Sequence, residues 1–282
     1  MQDTFSIVAI DPITGEIGSA GASCIGGSMI ISDIHPGVGG IHTQSYWNAN
    51  NQDNASSLMD QGYSPDEIID WLINNDAENN PSIRQYGIVD LVEGGRSASF
   101  TGSNCFDYKG HRIGENYAIQ GNILLGPSIL DEMEDAFLTQ YGSFEEKLFA
   151  SLMAANITGA DTRCEPYGTP AISAFIKIAR SEDSLGALFL DLNVNDAPLT
   201  INPLDSLFAL YWEWKIDQFI LGDVDFDRKV NINDVISLSD HINGFQYLNA
   251  HAHNPSDINN NGDLEITDLY LLTYQIIGIA GG

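Results

Sequence analysis

At 282 residues, with 43% hydrophobic and 10% aromatic content, the chain exceeds one typical domain and carries enough apolar side chains for a large core plus a smaller unit. Its 39 acidic residues against 11 basic ones give a formal charge of -28, which excludes nucleic acid and anionic membrane surfaces as ordinary partners. No run of about 18 apolar residues is present to span a bilayer.

The opening "MQDT" has no basic n-region or apolar h-region and is read as a mature secreted form carrying a start Met rather than as a cytosolic start. "TFSIVAI" (4–10), the turn "DPITG" (11–15) and "EIGSAGAS" (16–23) predict a hairpin, and "GIHTQSY" (40–46) a further strand. A helix is predicted over 64–75, because Ser64 is placed as N-cap, Pro65 in the first turn and Glu67 at the capping-box position. "QYGIVDL" and "RSASFTG" (85–102) predict a second hairpin and "NYAIQGNIL" (116–124) another strand. Helices follow at about 127–140 and 144–156, the second opened by Ser143 with Glu146 three residues on. "AISAFIKIA" (171–179) and "GALFLDLNV" (186–194) close the set as a strand pair, before a packing helix over 203–215. Strands that are small or apolar on both faces predict sheets covered on each side, as two stacked sheets between helical layers would be.

After residue 216 the pattern changes. "DVDFDRKVNIND" (223–234) and "DINNNGDLEITD" (257–268) repeat one twelve-residue frame, with oxygen side chains at positions 1, 3, 5, 9 and 12. Calcium takes six to eight oxygen ligands, and such a loop supplies them. The first set is Asp223, Asp225, Asp227, Asn231 and Asp234 with the carbonyl of Lys229; the second is Asp257, Asn259, Asn261, Glu265 and Asp268 with the carbonyl of Asp263. Val230 and Leu264 are expected to point into a small core, and helices to follow over 234–244 and 268–278. Position 6 is Gly262 in the second loop but Arg228 in the first, which predicts a weaker first site. The paired frame resembles a dockerin module, and the resemblance implies an all-α domain over 217–282 with two Ca2+ sites. The loop pairs Ile232/Asn233 and Ile266/Thr267 differ from the common Ser/Thr pair. That argues against a standard cohesin partner and leaves another protein partner, docking within the same chain, or capping of the main domain. "HAHN" (251–254), with His241 nearby, is read as a solvated linker rather than a transition-metal site.

Along residues 4 to about 215, "TFSIVAIDPITGEIGSAGAS", "GGIHTQSYWN", "RQYGIVD", "FTGSNCFDYKGHRIGENYAIQGNILLG" and "GADTRC" resemble, in order, the blocks of the domain of unknown function family 1028. The resemblance implies an α+β fold, a four-layer αββα sandwich of the N-terminal-nucleophile hydrolase kind over residues 1–216, and a possible hydrolase ancestry without a substrate. In that chemistry a free N-terminal Thr4 uses its own α-amino group, of pKa about 7.7–8.0, as the base that activates its hydroxyl. Met1, Gln2 and Asp3 precede Thr4, so the catalytic reading requires their removal; otherwise Thr4 is a strand residue. From the matching blocks, Gln44 and Asn122 are nominated to hold a carbonyl or oxyanion. Arg84, Asp161 and Arg163 are read as a buried ion-pair network or as a grip on a carboxylate, and His111 as a structural histidine or a general acid. The blocks also imply a Cys105–Cys164 disulfide in preference to two thiols, with Cys24 a buried apolar residue. The expected protein is thus a secreted amidohydrolase with a calcium-stabilised accessory module, oligomeric or not, or a non-catalytic extracellular binding protein on the same fold.

Overall fold

The computed structural model describes residues 5–217, 220–225, 229–248 and 253–278. Thr4, Asp227, Arg228 and His251 lie outside the described residues. The chain divides into two compact units, Met1–Leu210 and Tyr211–Gly282.

The first unit is mixed α+β with two antiparallel sheets. Strands β1 (Phe5–Ile10), β2 (Ile17–Ser23), β7 (Gly110–Gly114), β8 (Tyr117–Gly121), β9 (Ser173–Ala179) and β10 (Leu190–Val194) form a six-stranded sheet in the order β10-β9-β2-β1-β8-β7. Strands β3 (Ser32–His35), β4 (Gly39–Ser45), β5 (Arg84–Asp90) and β6 (Arg96–Thr101) form a four-stranded sheet in sequence order. The small residues of these strands let the sheets approach. A Cβ on Gly40 would lie 2.8 Å from a methyl of Val8, and one on Gly87 would collide with the amide of Gln120. Val8, Ile34, Val89, Ala118 and Ala179 fill the apolar part of the space between the sheets.

Helices α1 (Ala49–Asp60) and α2 (Pro65–Asn74) bury Leu58, Met59, Ile68 and Leu72 against Ile41, Tyr86, Ile88 and Ala98 of the four-stranded sheet. Helix α2 starts as expected: Ser64 N–H donates to Glu67 Oε2 at 2.8 Å, and Ser64 Oγ accepts from Glu67 N–H. Helices α3 (Ser128–Thr139) and α4 (Phe144–Ala154) pack on the six-stranded sheet, and α4 also begins with a capping box, from Ser143 and Glu146. Gly18 admits α4, since a Cβ there would run into Leu148 and stand 2.9 Å from Phe144.

In the first unit three strands and α-helices have no counterpart in the predicted set: α1, β3 and β7. Helix α1 reads "ANNQDNASSLMD", a composition of turn formers. It is helical because Asn48 caps it, its side chain accepting from Asn51 N–H, and because Ala55, Leu58 and Met59 are buried on one face.

Helix α5 (Pro203–Asp217) spans the division between the units. In the second unit α6 (Ile232–Ile242) and α8 (Ile266–Ile277) pack together, with the short α7 (His253–Ser256) between them in sequence, making eight α-helices among the described residues. Val224, Leu238 and Leu272 form the core of this unit, with Val230 and Leu264 packed against it. Both long helices begin two residues ahead of the predicted starts, because Asn231 and Glu265 serve as N-caps and close capping boxes with Asp234 and Asp268.

Candidate functional site

Between the two sheets lies a continuous chain of buried polar side chains. Strand alternation puts Ser6, Ser19, His42, Gln44, Gln85 and Gln120 on the facing surfaces, and all six are almost wholly removed from solvent. Ser6 Oγ donates to Gln44 Oε1 at 2.7 Å, and Gln44 Nε2 donates to Gln85 Oε1 at 2.8 Å. Gln85 Nε2 continues to Thr101 Oγ1 (2.9 Å) and to the carbonyls of Gly121 (2.9 Å) and Gly110 (3.1 Å).

On the other side His42 joins Ser6 to Ser19, with Nδ1 2.9 Å from Ser6 Oγ and Nε2 2.6 Å from Ser19 Oγ, and Ser19 Oγ donates to Ser32 Oγ at 2.7 Å. Burial, and secondarily the charge of Lys177, push the His42 pKa down to about 3, so the ring is neutral at physiological pH. The Gln120 amide donates to His42 Nδ1 at 3.1 Å, which assigns the ring proton to Nε2 and directs it at Ser19. Such a network holds its members in one geometry in a low-dielectric interior, and the one group of these six side chains left without a hydrogen bond is the buried Gln120 Oε1.

Two further buried polar side chains lie next to the start of β1. Phe5 pairs with Ala22 and Gly121, and the next residues on those neighbours are Ser23 and Asn122, both fully buried. Ser45, at the end of β4, has φ 67, and Ile123, directly after Asn122, has φ 57. A left-handed conformation at a β-branched residue is strained, and such strain concentrates where a site needs a particular backbone shape. Here Ile123 is tied down by its N–H to the Phe106 carbonyl (3.1 Å) and by Thr162 N–H to its own carbonyl (3.0 Å).

Beside this end sits the buried carboxylate of Asp161, which accepts from Cys24 N–H (3.0 Å), Arg163 N–H (3.1 Å) and Arg163 Nε (2.9 Å). Cys24, just after β2, is bonded to Cys164. The Cys105–Cys164 pairing expected from sequence is therefore corrected. Asp161 draws the 161–164 segment to the end of β2, while Cys105 is buried elsewhere and donates to the Arg84 carbonyl at 3.3 Å. Cys24 is correspondingly a disulfide cysteine and not an apolar filler.

Arg84 is also separate from Asp161 and Arg163. Its guanidinium binds Asp76 (Nε to Oδ2, 2.7 Å), Glu78 (2.7 Å) and the Tyr46 carbonyl. Burial raises the pKa of Asp76, but bonds from Arg84, Asn80 N–H, Asn51 and Glu78 N–H outweigh it and hold the carboxyl well below the usual range. The single three-residue network expected from sequence is thus two networks, and Arg84, on β5, binds the loop after α2 and the segment after β4. His111, on β7, lies with Nδ1 2.9 Å from Thr101 Oγ1, at the far end of the polar chain. Burial, then the charge of Arg112, lower its pKa.

In the second unit, carboxylate oxygens of Asp223, Asp225 and Asp234 lie within 4.8 Å of one another. Asp234 accepts from Val224 N–H (2.6 Å) and Asn231 N–H (2.7 Å), folding the loop over its own last residue. The second loop does the same: Asp268 accepts from Asn259 N–H (3.2 Å) and Glu265 N–H (3.0 Å), and Asp257 from Gly262 N–H (2.8 Å). Gly262 has φ 94, the turn that position requires. Asn261 Oδ1 accepts from Asp263 N–H at 2.9 Å, and Asn261 Nδ2 donates to Glu265 Oε1 at 3.1 Å. Hard, mostly anionic oxygens of this kind are the donors that Ca2+, Mg2+ and Mn2+ prefer.

The groups missing from the sequence-derived set are Ser6, Ser19, His42, Gln85 and Gln120. The available signal is a Gln or His inside "IHTQS", "RQYGI" and "YAIQG", strands otherwise apolar or small. That they meet depends on register between strands distant in sequence.

Residues 4–204 match the family described as "Family of unknown function (DUF1028)". The chain is similar to the crystal structure of protein SPO2555 from Silicibacter pomeroyi, itself assigned to DUF1028. The identity is 26% and the TM-score 0.62, over 75% of this chain and 88% of that one. No curated protein matches the chain.

Proposed function

The chain belongs to the DUF1028 family, and from that premise we propose a secreted amidohydrolase of the N-terminal-nucleophile type, acting on a small amide or peptide. In this reading residues 1–216 are a four-layer αββα sandwich, and residues 217–282 are a dockerin-like module held by two Ca2+ ions. The observation that supports it is the pair of buried, uncharged polar groups, Ser23 and Asn122, that follow the strand partners of Phe5, beside strained backbone at Ile123 and Ser45. A nucleophile at position 4 carries its own base and needs from its surroundings only neutral donors and a fixed geometry. Asn122 is assigned to the developing oxyanion. Gln44, held by Ser6 and Gln85, is a positioning residue. Asp161 and the Cys24–Cys164 bond fix the neighbouring segment.

Catalysis in this form requires the Asp3–Thr4 bond to be cut. The test is the intact mass and N-terminal sequence of protein from its natural source, followed by an amide screen with T4A as control. A chain starting at Thr4 whose turnover disappears in T4A supports the hydrolase. Residues upstream of Thr4 in an inactive protein favour the second reading, a non-catalytic extracellular binding protein. The supporting observation for that alternative is Met1-Gln2-Asp3 ahead of the nucleophile position.

For the second unit, the convergence of Asp223, Asp225 and Asp234 supports calcium. Bound there, the ion would neutralise carboxylates that otherwise repel one another, and Lys229 and Asp263 would add carbonyl oxygens. We assign this unit to attachment, to a protein partner or to its own chain.

A further inference from the structure

At the opposite end of β1, about 16–17 Å along the strand from Phe5, a hollow of about 470 Å³ lies between the β1–β2 turn, the β7–β8 turn and the junction of α3 with α4. Its floor is apolar and buried: Ile10, Tyr117, Phe137 and Phe144. The walls are braced. Tyr117 packs edge-on to Phe137 with ring centroids 5.3 Å apart and donates its hydroxyl to Glu134 at 2.7 Å, and Ile10 N–H donates to the Asn116 carbonyl at 2.9 Å. The lip is apolar but open, with Ile13 91% and Leu138 62% exposed. A second hollow of about 510 Å³ shares Leu138 and Lys147 with the first and carries Tyr141, 91% exposed.

Lys147 is the informative residue. In a chain with 39 acids and 11 bases, cations are expected to be neutralised locally. Arg84, Arg96, Lys109, Arg112, Arg163 and Arg180 each meet a carboxylate within 3.1 Å. Among the described residues no carboxylate pairs with Lys147, although Asp11 and Glu115 line the same hollow. Asp11 Oδ1 is already engaged, accepting from Ile13 N–H at 2.8 Å to form its turn. A half-buried ammonium beside an apolar floor, left without a protein counter-ion, complements a ligand that brings an anion and an apolar body together.

We propose that this hollow binds a small monocarboxylate carried on an aromatic or branched aliphatic body, with the carboxylate on Lys147 Nζ and the apolar part over Phe137 and Phe144. The acidic rim at Asp11 and Glu115 selects against a second negative charge. This site is independent of the hydrolase reading, since none of its residues belongs to the polar chain between the sheets.

The test is a ligand-observed saturation-transfer NMR titration of the full chain with 3-phenylpropanoate and its neutral isostere 3-phenylpropanamide. Wild type, K147Q and K147R are compared. The acid is expected to bind in about the millimolar range. Its advantage over the amide should be about fivefold, the upper end for a partly exposed ion pair. K147Q should abolish that preference and K147R retain it, and about 0.5 M salt should narrow it in the wild type. Equal binding of acid and amide to the wild type, which needs no variant to fold, overturns the proposal. So does an unchanged preference in K147Q, or no saturation by the acid below about 20 mM.

Discussion

Among the six buried polar side chains that join the sheets, His42 is the one that carries a titratable group whose pKa folding moves far from its ordinary value. Its folded pKa is about 3, against about 6.5 in an unfolded chain. Between those values the unfolded state binds the extra proton, so stability rises with pH across this window, by up to about 1.4 kcal/mol per pH unit, and His42 contributes no slope above it. His35 has the opposite sign. Burial lowers its pKa, but bonds and charge from Asp33 and Asp60 outweigh this and raise it, so its contribution is complete below about pH 6.5 and fades as pH climbs through the raised value. Urea unfolding from about pH 4 to 7 should therefore show an acid limb that flattens in H42Q. An unchanged limb in H42Q, together with a wild-type His42 ring that titrates near its ordinary value by NMR, removes this assignment. The stretch "GGIHTQSYWN" places His42 on a strand but does not give its partners, because its environment is supplied by Ser6, Ser19 and Gln120 from three other strands.

At the level of elements, the Cys24–Cys164 bond joins the end of β2 to a 3-10 turn over Thr162–Tyr167, across a separation of 140 residues. A cross-link closing so long a loop restricts the unfolded chain strongly, and chain entropy alone puts its contribution at about 5 kcal/mol or less. Digestion without reduction should release linked peptides containing Cys24 and Cys164. C24S and C164S should lose similar stability, and C105S should keep the cross-link. A Cys105–Cys164 peptide in that digest would overturn the Cys24–Cys164 pairing.

Helices announced by caps, α2 and α4, were readable because the capping box is a local hydrogen-bond pattern written in four residues. Helix α1 was not readable, because its stability comes from burying Ala55, Leu58 and Met59 under α2 and β4.

For the molecule as a whole, two units with separate cores predict two unfolding transitions rather than one. If the two loops of the second unit hold calcium, stripping with EGTA should lower that unit's transition and leave the first in place, since ligands gathered in the folded loops are scattered in the unfolded chain. D234A and D268A, each removing a buried carboxylate that also closes a capping box, should lower the same transition even in excess calcium. Superimposable scans with and without EGTA would argue against occupied loops.

Local chemistry written in consecutive residues was open to reading from the chain alone: the first hairpin around Pro12, the capped helices, the absence of a membrane-spanning run, and the repeated oxygen frame from Asp223 and from Asp257. Each is a short-range pattern whose physical consequence does not depend on what lies across the fold. The partner of Cys24, the separation of Arg84 from Asp161, the proton on His42 and the unpaired charge of Lys147 were settled only by packing. Each depends on which strands lie opposite one another, and a sheet brings together residues as far apart as Ser6 and Gln120 by register that no local stretch encodes.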